Sequence, residues 1–81
     1  MPLELDQVAA EARPIFDRIQ PRLLSTDPNA FVAIEPESGD YFLAQTLSEA
    51  VEKARERYPE RLVHTFRVGH PAAIHFGMQE R

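Results

Sequence analysis

The chain has 81 residues, a formal net charge of −4 and no cysteine, which fits one small domain over 1–81 and excludes disulfides and thiolate metal sites. No apolar run approaches the roughly 20 residues needed to span a bilayer, and the acidic start Met1-Pro2-Leu3-Glu4-Leu5-Asp6 lacks the regions of a secretion signal, so a cytoplasmic protein is expected. The acidic balance argues against non-specific nucleic-acid binding, which depends on neutralising phosphates.

Leu5, Val8, Ala9, Ala12, Ile15, Phe16, Ile19 and Leu23 recur at a spacing of three and four, which predicts an amphipathic N-terminal helix over 4–24. Pro14 removes an intrahelical hydrogen bond and crowds the preceding turn, so a kink or two shorter helices are expected. Ser25-Thr26-Asp27-Pro28-Asn29 reads as a loop.

Residues 31–76 read as a β-β-α-β-β unit. Phe31-Val32-Ala33-Ile34 and Tyr41-Phe42-Leu43-Ala44 are apolar strands joined by a turn. Pro36 suits a φ near −65° and Gly39 a positive φ. A four-residue loop at 36–39 sets Glu35 opposite Asp40, Ile34 opposite Tyr41 and Val32 opposite Leu43. Both faces of that ribbon are then apolar, so each needs a cover. A helix over 47–58 follows, capped by Thr46 with Glu49 completing a capping box. Its apolar stripe is Leu47, Ala50, Val51, Ala54 and Tyr58, and Glu49 and Lys53 are spaced as a favourable ion pair. Leu62 to Val68 forms a third strand, set parallel to the second by a right-handed crossover. Ala72 to Phe76 is a short fourth strand, and 77–81 is a frayed tail. The fold class is α+β, with a mostly antiparallel sheet packed on a helix.

Phe31-Val32-Ala33-Ile34-Glu35, Thr46-Leu47-Ser48-Glu49-Ala50 and Phe66-Arg67-Val68-Gly69-His70-Pro71-Ala72-Ala73 resemble a group of small bacterial proteins of unknown function over roughly 13–77. Several members of that group are encoded in small gene pairs, and the resemblance implies an antitoxin-like or regulatory-partner role. It carries over no catalytic residue.

His64, His70 and His75 are the candidate metal ligands, since zinc or nickel wants three or four converging donors. Their spacing matches no compact ligand motif, and a hydrogen-bonded structural histidine is the commoner outcome at His64. Glu35, Glu37 and Asp40 crowd the hairpin without the acidic ladder of a calcium loop, and an exposed tip offers no cleft for acid–base chemistry. The plain reading there is a solvated turn. No nucleophile motif or phosphate-binding glycine loop occurs, so no catalytic, cofactor-binding or metal-binding residue is assigned.

The charges are segregated. No Lys or Arg falls between Arg22 and Lys53, whereas Lys53, Arg55, Arg57, Arg61 and Arg67 follow closely. Glu52, Glu56 and Glu60 are interspersed among these, which predicts an ordinary helix surface with intrahelical pairs. The expected function is protein–protein interaction, with another protein or with a second copy as a homodimer. Phe31, Phe42 and Phe66 are the candidate aromatic anchors, and Arg55, Arg57 and Arg61 the candidate polar contacts. A small nucleic-acid-binding regulator using Arg55, Arg57, Arg61 and Arg67 is the alternative, followed by histidine-mediated metal binding.

Overall fold

The structure, a computed structural model, describes residues 4–70. Its elements are α1 (Leu5–Thr26), β1 (Phe31–Glu35), β2 (Asp40–Ala44), α2 (Leu47–Arg57) and β3 (His64–Arg67). The three strands form one sheet in the order β2-β1-β3, antiparallel at both junctions, so the fold is α+β as expected. The predicted fourth strand at 72–76 and the tail at 77–81 lie outside the described residues.

One helix, rather than two shorter ones, runs through both Pro14 and Pro21. Each proline removes a donor to the residue four earlier. Those residues, Ala10 and Asp17, are exposed, as are the prolines themselves, so water can satisfy the freed carbonyls. The buried stripe Val8, Ala12, Phe16, Ile19 and Leu23 continues across both positions, and packing holds the helix together where propensity would end it. At its start the Glu4 N–H donates to Gln7 Oε1 at 3.1 Å.

The β1–β2 hairpin has the expected register, with Glu35 opposite Asp40, Ile34 opposite Tyr41 and Val32 opposite Leu43. Gly39 has φ +83°, a conformation that glycine adopts without steric cost. The Thr46 hydroxyl caps α2 by accepting from the Glu49 N–H at 3.2 Å. The reciprocal half of the expected capping box, from the Thr46 N–H to the Glu49 carboxylate, is absent among the described contacts.

The third strand corrects one expectation. It runs in the direction of β2, but β1 lies between the two. The β2–α2–β3 crossover therefore steps over the central strand, and every neighbouring pair is antiparallel. β3 is also shorter than the predicted strand, and Leu62 is 44% exposed.

The two helices cover opposite faces of the sheet. Under α1, which packs on β1 and β3, Phe16, Ile19 and Leu23 meet Val32, Ile34, Phe66 and Val68. Under α2, which packs on β1 and β2, Ala50 and Ala54 meet Ala33 and Ala44, flanked by Phe31, Phe42 and Val63. The alanines let α2 lie close to the sheet. Both apolar faces are thus covered within one chain, and neither needs a second copy. The helices are staggered, however. Tyr41 and Leu43 on β2 remain half-buried beside α1.

Candidate interaction surface

Glu35 ends the apolar run of β1, and its side chain turns back into the turn that follows. The Glu37 N–H donates to Oε2 at 2.9 Å and the Ser38 N–H to Oε1 at 2.8 Å. Arg61, just beyond α2, adds an ion pair to Oε1 at 3.0 Å. Glu35 is 0% exposed, which corrects the expectation of a fully solvated turn. Burial pushes its carboxyl pKa up, but the bonds from Ser38, the Glu37 N–H and Arg61 outweigh that and hold it below the ordinary value.

The same end of α2 returns to the hairpin a second time. The Tyr58 hydroxyl donates a hydrogen bond to the Asp40 carboxylate. The Tyr58 ring meets Phe42 edge to face, with centroids 6.3 Å apart. The guanidinium of Arg57 lies 5.7 Å from that ring's centroid and that of Arg61 lies 5.1 Å away. The acidic hairpin and the basic helix end are therefore largely two sides of one intramolecular contact. In this contact Arg57 and Arg61 are exposed, and Phe42 and Tyr58 are half-buried.

The other predicted residues are placed elsewhere. Phe31 is half-buried, with the Arg67 guanidinium 4.9 Å from its ring centroid. Phe66 is 1% exposed and stacks on Phe16 at 4.3 Å, so its area is committed to the core and it offers nothing to a partner. Arg55 is exposed and makes no hydrogen bond or ion pair among the described residues. The expected ion pairs of Glu49 with Lys53, and of Arg55 and Arg57 with Glu52, Glu56 and Glu60, are also absent there. Exposed pairs gain little against side-chain entropy, and Lys53 instead donates to the Leu43 carbonyl at 2.7 Å.

Arg67 donates to the Asn29 carbonyl at 3.1 Å, which separates it from the other arginines of the nucleic-acid reading. His64 packs edge-on against Phe66, with centroids 5.1 Å apart, and His70 Nε2 lies 3.3 Å from Asn29 Oδ1. His75 lies outside the described residues. Among those described, no three His, Asp or Glu side chains gather as a metal site. A shallow cleft of about 210 Å³ between Asp27, Leu43, Gln45, Glu49 and Lys53 is smaller than ordinary ligand pockets.

Tyr58 is the member that sequence reasoning placed only in the helix stripe. Its role depends on the hairpin folding back onto α2, a contact 18 residues away in sequence with no local signal. No helix among the described residues is long and apolar enough to cross a membrane. No family model matches the chain, and no curated protein or solved structure matches it.

Proposed function

We propose that the chain is a protein–protein interaction module, an antitoxin-like or regulatory partner of another bacterial protein, that binds through Phe42, Arg57, Tyr58 and Arg61. The observation that supports this reading is the tyrosine ring flanked by two guanidinium groups and backed by a phenylalanine. Tyrosine and arginine dominate interface hot spots, because they supply large area and directional bonds. The hairpin fixes the cluster before any partner arrives, which lowers the ordering cost of binding.

Affinity capture from the native host, with wild-type and Arg57→Glu chains side by side, tests the assignment. A defined partner retained by the wild type and lost by the variant supports it. A partner retained equally by both would place the contact elsewhere.

A further inference from the structure

We propose that β2 is a self-pairing edge: two copies of the chain join β2 to β2 antiparallel about a twofold axis at Phe42, making one continuous sheet. This rests on and deepens the interaction reading by naming a second copy as a partner: it shares Phe42 and Arg57 with the heterologous contact and adds the backbone edge of β2, Tyr41, Leu43 and Glu49.

The pairing follows from which backbone groups face outward. The Val68 N–H donates to the Ala30 carbonyl at 2.8 Å, so Ala30 points towards β3. Along a strand, successive residues point to alternate sides. Val32 and Ile34 therefore also address β3, while Phe31, Ala33 and Glu35 address β2. Their partners Ala44, Phe42 and Asp40 point inward to β1, which leaves Tyr41 and Leu43 turned away from the sheet. The Gly39 N–H bond to the Glu35 carbonyl at 2.9 Å and the Lys53 bond to the Leu43 carbonyl agree with this phase. β2 is an edge strand, so the remaining outward groups have no strand partner among the described residues.

A twofold axis at Phe42 sets Tyr41 opposite Leu43 of the second copy, and Leu43 opposite its Tyr41. Both are outward-facing residues, so each pair can exchange two backbone hydrogen bonds once Lys53 swings off the Leu43 carbonyl that it holds in the single chain. Tyr41 and Leu43 are the side chains that the staggered helices leave half-buried on the α1 face, and Phe42 is half-buried on the other. Self-pairing puts apolar side chain beside apolar side chain on both faces.

The helices fit the same axis. α2 lies over β1 and β2, and neighbouring strands are about 4.8 Å apart, so the two copies of α2 would sit about 10 Å apart, a normal helix-packing distance. α2 runs antiparallel to β2: it starts beyond Ala44, Lys53 reaches Leu43, and Tyr58 reaches Asp40. Glu49, Lys53 and Arg57 are four apart and share a face, the face from which Lys53 reaches the edge. The axis then brings Glu49 beside Arg57 of the second copy, and neither has an ion-pair partner among the described residues. Lys53 falls near the axis, where it faces its own twin and covers the Leu43 carbonyl. Lysines guard sheet edges in this way, so Lys53 sets how weak the dimer is.

Sedimentation over a roughly hundredfold concentration range, with amide exchange measured at both ends, tests the pairing in the unaltered chain. The expected result is a concentration-dependent dimer in which the Tyr41 and Leu43 amides gain protection. Lys53→Ala tightens it several-fold, Glu49→Arg or Arg57→Glu weakens it several-fold, and the combined charge swap restores it. A monomer at every concentration overturns the proposal, as does a dimer whose Tyr41 and Leu43 amides exchange at the monomer's rate. A monomer that still retains a heterologous partner through Arg57 overturns the self-pairing alone.

Discussion

Glu35 and Arg61 form an ion pair at 3.0 Å in which one partner is fully buried and the other is 42% exposed. The asymmetry decides what each contributes. The two turn N–H groups donate to Glu35 whether or not Arg61 is present, so the carboxylate is principally a brace for the hairpin. Arg61 closes it against α2 and is partly screened by solvent.

The pH dependence follows from that brace. The folded-state pKa of Glu35 lies below its ordinary value of 4.5, so its contribution is complete above that value and is lost as the pH falls through the folded value. Glu35→Gln should cost about 1–3 kcal/mol at neutral pH, because the turn donors lose their ionised acceptor. The gap between wild type and variant should close under acid. Urea unfolding at neutral and acidic pH measures this, and a gap independent of pH would mean the carboxylate is not ionised in the fold.

Phe66 separates a core role from a surface one. With 1% exposure and a stacked contact to Phe16, Phe66→Ala should cost about 3–5 kcal/mol, the usual loss for a buried aromatic. In a domain this small that can abolish folding, so Phe66→Leu provides the graded measurement. A wild-type melting temperature for both variants would place the ring outside the core.

The features legible in the sequence are the ones that local chemistry specifies. The hairpin register follows from a loop length and from Gly39, and α2 from a Thr46 cap and an alanine stripe. What escaped is set by long-range contacts. Glu35 looks like any turn acid until Arg61 arrives from 26 residues away. Phe66 has the composition of an interface anchor, and only the placement of α1 makes it core. The position of β3 depends on which side of the hairpin the crossover descends, and no local residue records that.

The Thr46 cap is a direct test of a locally encoded feature. Its hydroxyl satisfies the Glu49 N–H, and the reciprocal bond of a full capping box is missing. Thr46→Ala should therefore cost on the order of 1 kcal/mol, and Thr46→Ser should retain most of the stability. A thermal midpoint unmoved by Thr46→Ala would show that the α2 N-terminus is held by packing alone.

Pro14 is the residue whose cost the fold absorbs. It lies inside a continuous helix, where proline is about 3 kcal/mol less favourable than alanine because it removes a donor and crowds the preceding turn. Two effects reduce the gain from replacing it: the freed Ala10 carbonyl sits on an exposed stretch of helix, and proline stiffens the unfolded chain by about 0.4–1 kcal/mol. Pro14→Ala should still stabilise the domain, by roughly 1–2 kcal/mol on balance. The substitution touches neither the buried stripe nor the hairpin, so the gain should appear as a shift in the urea midpoint with an unchanged slope. A loss of stability instead would mean that the proline sets a helix geometry on which the packing of Phe16 and Ile19 depends.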